Sequence, residues 1–218
     1  MNIFELSVIQ SYSICIASFI GLVRFKRIDK SYRPFIFLCW IALMNELIST
    51  YVAHRFHTNA ANANIYVFVE SVFFAWLFRN WGFLQKRSWH YPLSLFILLI
   101  VWLFDNLIWH SLREFNSFFR IFYSFFLIFL AINYINWLFL RSRGHLLRHA
   151  GFLICIGILI FYSYKATIEV FYLLRLNFSN NFYNKIHHIL EIINLFVNLV
   201  YALAVLWIPK KQKFILPY

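Results

Sequence analysis

The chain has 218 residues, 62% of them hydrophobic, 22% aromatic and only 13% charged, with a formal net charge of +12. Soluble domains carry about 45–50% apolar and about 25% charged residues, so a water-soluble globule with an ordinary core is excluded and several membrane spans are indicated. The basic excess does not point to nucleic acid, because it sits in short loops between apolar runs rather than on one face.

A spanning helix needs about 20 mostly apolar residues, and seven such segments can be drawn. The first, Leu6–Val23, follows an N-terminus with no basic stretch, and no small-residue cleavage site comes after it. It therefore reads as a retained span rather than a removed signal peptide. Cys15, Cys39 and Cys155 show no CxxC spacing and read as small buried hydrophobes. The second segment, Pro34–Val52, carries Asn45, Glu46, Ser49 and Thr50 along one side. The third, Asn62–Leu84, places Tyr66 and Glu70 four residues apart. Both sets suit hydrogen bonds between helices, worth about 0.6 kcal/mol each, but Glu is a costly choice where Asn or Ser would serve. A pocket wall is the competing reading.

The fourth segment, Tyr91–Trp109, carries Asp105 and Asn106 near its end, and the fifth, Phe115–Leu140, opens with Arg120. In the sixth, His149–Leu174, Lys165 and Glu169 have the spacing of an intrahelical ion pair or of a ligand anchor. A retinal lysine is not expected there, because microbial rhodopsins hold theirs in the last span. The seventh segment, Ile186–Trp207, spaces His187, Glu191, Asn194, Asn198 and Tyr201 by four, three, four and three. At about 100° per residue these fall within an arc of roughly 80°, a single polar seam on an apolar helix.

The loops alternate in charge. Those after segments one, three and five, with the C-terminal tail, hold thirteen Lys and Arg, whereas those after two, four and six hold four. By the positive-inside rule the N-terminus faces outward and the C-terminus faces the cytoplasm. In that frame Glu46, Glu70, Asp105, Arg120, Lys165, Glu169 and Glu191 all lie in the outer half of their segments. An isolated charge at mid-bilayer costs about 2.5–3.5 kcal/mol, so these seven are expected to share a cavity open to the outside. Five carboxylates against two cations leave that cavity at −3. Either some carboxyls carry a proton or a cation fills the site.

His187 and Glu191, with His188 and a residue from another helix such as Asp105 or Glu70, make a weak zinc set. Polar contacts between helices and pocket lining are the plainer account of the same residues. A faint internal echo pairs Glu46 and Glu70 of segments two and three with Glu169 and Glu191 of segments six and seven. It would fit a parallel repeat of three spans on either side of one.

Glu46, the run Asn64-x-Tyr66-x3-Glu70, and a final span with Asn198-x2-Tyr201 before a basic tail carry a resemblance. The chain resembles an uncharacterised family of small seven-span inner-membrane proteins of Bacteroidota-type bacteria. That resemblance implies a bacterial inner-membrane location and no particular chemistry. The chain differs from the alkaline ceramidases and adiponectin-type receptors, whose last span pairs two His four apart; position 191 here is Glu.

The expectation is an all-α bundle of seven transmembrane helices forming one domain. Its acidic outer pocket is built from Glu46, Glu70, Asp105, Arg120, Lys165, Glu169, His187, Glu191 and Asn194. A ligand-binding or sensory role is favoured. A proton-coupled carrier using Asn133, Asn136 and Asn198, and a membrane-embedded lipid hydrolase, are the alternatives. The bilayer is the expected partner, the basic inner loops offer a surface to a cytoplasmic one, and no cofactor or nucleic acid is indicated.

Overall fold

The computed structural model describes residues 10–84, 89–141, 146–174 and 179–210. Among them seven α-helices follow one another. These are α1 (Ile14–Arg24), α2 (Arg33–Phe56), α3 (Ala60–Asn80), α4 (His90–Leu103), α5 (Phe118–Arg141), α6 (Ala150–Leu173) and α7 (Asn180–Trp207). Six of these, α2 to α7, are long and apolar enough to cross a membrane when α4 is taken with the turn that continues it. Helix α1 is apolar too, but its 11 residues cover only ~17 Å of a ~30 Å hydrocarbon core. The expected first segment begins outside the described residues, and Lys86, Arg87, Arg143, Arg175, Lys211 and Lys213 of the loops and tail lie outside them.

Helix ends depart from the hydropathy boundaries for local reasons. Helix α2 runs past Val52 to Phe56, where His57 adopts a left-handed φ of 57° and bonds back to the Ala53 carbonyl. Helix α3 stops short of Leu84 because Gly82, at φ 92°, turns the chain in a way side-chain-bearing residues resist. Helix α7 begins six residues before Ile186, where the Ser179 hydroxyl accepts the Phe182 N–H at 3.2 Å. Helix α4 continues into a π-helical turn, Phe104–Trp109, which turns Asp105 and Asn106 into the interior.

The helices neighbour one another in chain order, and α7 returns to pack on α1. The outside of this ring is apolar. Helix α4 buries only Leu98, while Leu93, Phe96, Ile97, Leu99 and Ile100 point outward. Such a face is a liability in water and the natural surface in hydrocarbon. Cys15 also lies exposed on α1, against expectation, because its helix has little interior side to offer; Cys39 and Cys155 are buried. The interior is aromatic, with Phe35, Phe74, Phe78, Tyr123 and Tyr162 fully buried. Helices α6 and α7 meet at Gly157, where a Cβ would run into the Tyr201 ring.

One end of the bundle is clasped by basic and backbone groups. Arg24 donates to the carbonyls of Val205 at 2.6 Å, Leu206, and Ile208 at 3.1 Å, capping the C-terminus of α7. Asp29 donates its N–H to Pro209 at 3.0 Å, beside an isolated bridge between Ile28 and Lys210. The Asp29 carboxylate accepts the Ser31 hydroxyl at 2.6 Å and the Ser31 N–H at 2.8 Å, and these bonds hold it below the usual carboxylate range. Tyr32, Trp81 and Tyr134 pack together at this same end, Tyr32 edge-on to Trp81, and Trp81 and Tyr134 tilted with ring centres 4.3 Å apart. The interior charges gather at the other end.

Candidate functional site

The first turn of α5 and the C-terminal half of α6 face each other at the end opposite the clasp. There Arg120 meets Glu169 at 3.4 Å, with side chains 9% and 12% exposed. Arg120 also donates to the Asn64 side-chain carbonyl at 3.1 Å and lies over the Phe115 ring at 4.9 Å. The second Glu169 oxygen accepts the Ser117 hydroxyl at 2.6 Å. Asn64 of α3 completes the frame by donating to the carbonyls of Leu112 at 3.1 Å and Glu114 at 2.7 Å. One amide thereby fixes both the outer connection and the guanidinium.

Lys165 and Glu169 do not form the ion pair their spacing predicts. The forked guanidinium of Arg120 takes the carboxylate instead. The Lys165 ammonium sits over the rings of Phe161 and Tyr162, at 5.4 and 5.6 Å, and makes no ion pair among the described residues. Arg120 and Lys165 together separate two chambers, because both residues line each of them.

The inner chamber has a volume of about 240 Å³ and lies between α2, α3, α6 and α7. Glu46, Glu70, Asn194, Asn198 and Tyr201 line it together with the two cations. Glu70 is 8% exposed; one of its oxygens accepts the Tyr66 hydroxyl at 3.1 Å and the other has no hydrogen-bond partner. The Glu46 carboxylate, one helix away, forms no hydrogen bond or ion pair among the described residues, while Asn45 beside it accepts from Asn62 at 3.0 Å and Ser49 accepts from Asn59. The outer chamber, about 750 Å³, mixes apolar walls from Trp109, Phe115 and Leu190 with Glu114, Glu169 and His187.

The nine residues expected to share one hollow therefore divide. Glu46, Glu70, Asn194, Arg120 and Lys165 meet in the inner chamber, and Glu169 and His187 join the two cations in the outer one. Asp105 and Glu191 line neither. Asp105 is fully buried, accepting the Phe119 N–H at 2.8 Å and facing His110 at 3.1 Å, so it ties the π-turn to the start of α5. Glu191 pairs with His188, one turn away on the same helix, at 3.3 Å. Of the expected set, three carboxylates and two cations line the chambers, an excess of −1 rather than −3, with the exposed Glu114 adding a carboxylate to the outer one.

The zinc set does not converge either. His187 bonds to the Tyr172 hydroxyl at 2.6 Å, while Glu191 and Asp105 are engaged elsewhere. No group of three His, Cys, Asp or Glu with metal-binding proximity occurs among the described residues. The three asparagines of the carrier reading do not line a common path. Asn133 donates to its own helix at Phe129 and lines a separate lateral groove, Asn136 is exposed, and Asn198 donates to Ser13 at 2.9 Å. The Glu70 and Glu191 of the internal echo occupy dissimilar surroundings.

Asn64 and Ser117, which brace the cation wall, were not legible as such, because their partners lie 48 to 56 residues away in sequence. The aromatic cradle of Lys165 did leave a signal. Phe161 and Tyr162 precede it by four and three residues, the spacing that places a ring beside a side chain on a helix. Compared with known proteins, the chain matches no family model, no curated protein and no solved structure.

Proposed function

We propose that the chain is a ligand-binding or sensory module of a bacterial inner membrane, spanning it seven times with the N-terminus outside, and that its chambers open to the extracytoplasmic side. The observation that carries this reading is a set of interior charges without ion-pair partners among the described residues. Glu46 and Lys165 make no ion pair there, and Glu70 leaves an oxygen unbonded, around a cavity of about 240 Å³. Polar groups inside a bilayer are expensive, and those serving structure alone are expected to be bonded, as Asp105 and Asn64 are. The positions of Arg24, Arg27, Lys30 and Arg141 at the opposite end support the orientation. Those basic groups also offer a cytoplasmic partner or anionic lipid a surface.

Thiol accessibility tests the reading. In a chain with Cys15, Cys39 and Cys155 replaced by Ala, Glu46→Cys is to react with a membrane-impermeant maleimide added to intact cells. Arg27→Cys is to react only after permeabilisation. The reverse pattern, or an unreactive Glu46→Cys in a folded protein, refutes an outward-opening chamber.

A further inference from the structure

We infer that the inner chamber takes a small organic monocation bearing a primary ammonium group. The inference rests on the ligand-binding reading above and assigns the chemistry of its ligand. Four charged side chains line the chamber: Glu46, Glu70, Arg120 and Lys165. Arg120 is already neutralised by Glu169 at 3.4 Å and donates to Asn64 at 3.1 Å, although its Nε is unbonded. That leaves two carboxylates and one ammonium, a deficit of one positive charge in a low-dielectric space. A monocation restores neutrality, as a proton on one of the two carboxyls does in its absence. A neutral molecule or a zwitterion leaves the deficit in place, and an anion doubles it.

Geometry points the same way. Glu70 is buried and its second oxygen is an acceptor without a donor, the role an N–H group fills. Tyr66, Tyr162 and Phe74 supply ring surface around it, and aromatic faces attract cations. Asn194 also lines the chamber and offers an amide contact to a hydroxyl or a second polar atom, and Asn198, whose NH2 donates to Ser13, offers its side-chain carbonyl. A volume of about 240 Å³ lies below the roughly 300–1,000 Å³ of drug-sized ligand pockets, so the ligand is a small amine rather than a peptide or a lipid headgroup with its chains. A primary ammonium, with three N–H donors, suits two carboxylates on separate helices better than a quaternary one, which has none.

The test uses the full chain in lipid nanodiscs and measures binding by isothermal titration calorimetry with four probes: ethanolamine, choline, alanine and acetate. Ethanolamine is expected to bind, choline at least tenfold more weakly, and alanine and acetate not measurably. Glu70→Gln is to weaken ethanolamine at least tenfold. Lys165→Met, which removes the competing cation from the chamber wall, is to raise its affinity. Retention of the wild-type thermal transition by each variant in the absence of probe guards against misfolding. Binding of alanine as tight as that of ethanolamine, or binding insensitive to Glu70→Gln, overturns the monocation assignment. So does the absence of ethanolamine binding. Acetate binding that depends on Lys165 would overturn it while leaving the chamber a ligand site. An unreactive Glu46→Cys would remove the outward-opening reading itself.

Discussion

The wall between the chambers depends on the Arg120–Glu169 pair, and Glu169→Gln isolates its contribution. The substitution keeps the shape of the side chain and its ability to contact Ser117, but leaves the guanidinium inside the bundle without its counter-charge. Removing one member of a buried pair costs about 3–5 kcal/mol, because the remaining charge is stranded. Arg120 keeps its bond to Asn64 at 3.1 Å and its stacking on Phe115, which places the loss near the lower limit, about 3 kcal/mol. At roughly 2–4 °C per kcal/mol for a chain of this size, the thermal midpoint in detergent is to fall by about 6–12 °C. Arg120→Met is to fall by a similar amount. The double variant is to lose less than the sum of the singles by about 1.5 kcal/mol or more, since the two residues are in contact. A Glu169→Gln midpoint within about 2 °C of the parent, with no coupling in the cycle, would show that the pair carries no weight. The two chambers would then have no fixed partition.

Asn64→Ala removes three bonds, leaves two carbonyls and a guanidinium short of partners, and is to cost about 2–4 kcal/mol, with faster deuterium exchange across residues 110–116. Gly157→Ala places a methyl group against the Tyr201 ring and is to lower stability by about 1–3 kcal/mol, and Tyr201→Ala in that background is to recover part of the loss. Arg24→Met uncaps α7 and is to cost about 1–2 kcal/mol, read as a lower thermal midpoint and faster exchange of the amides near Leu206. Asp29, held below its ordinary value by Ser31, binds protons less readily folded than unfolded. Its stabilising contribution is fully present above the unfolded value of about 3.9 and disappears as pH falls through the lower folded value. Asp29→Asn is therefore to be less stable than the parent near neutral pH, with the two stability curves converging below about pH 4.

Hydropathy made the helices legible, since a run of about 20 apolar residues has few other fates. The one-ended placement of Glu46, Glu70, Arg120, Lys165 and Glu169 followed from counting depth along alternating spans, and the structure brings these five around two adjoining chambers. Periodicity assigns a side chain to a face of its own helix, however, and not to a partner. Asp105 could be placed near the end of its segment, but not on the backbone of α5, because that contact depends on a π-turn no residue pattern announces. Glu191 falls on the polar seam of α7 as expected. Local pairing with His188 nevertheless keeps it out of both chambers. The Lys165–Glu169 spacing was read correctly and still misled, because an arginine 49 residues earlier in the chain offers the better fork.

The charge balance of the inner chamber does not depend on which cation takes Glu169. Arg120 and Lys165 both line it, so pairing either one leaves a single cation there against Glu46 and Glu70. With Arg120 taken, that cation is a compact ammonium rather than a forked guanidinium. A bundle selected only for stability has no reason to keep that arrangement. Glu70→Gln with Glu46→Gln would remove two unpaired carboxylates from a low-dielectric interior, at the expense of leaving Lys165 as the lone excess charge. Reducing all three to uncharged residues of similar size is therefore expected to raise the thermal midpoint of the empty protein while abolishing its ligand response. A triple variant Glu46→Gln/Glu70→Gln/Lys165→Met with a lower midpoint than the parent would mean that these charges serve the fold after all. The chamber would then lose its claim to be a site.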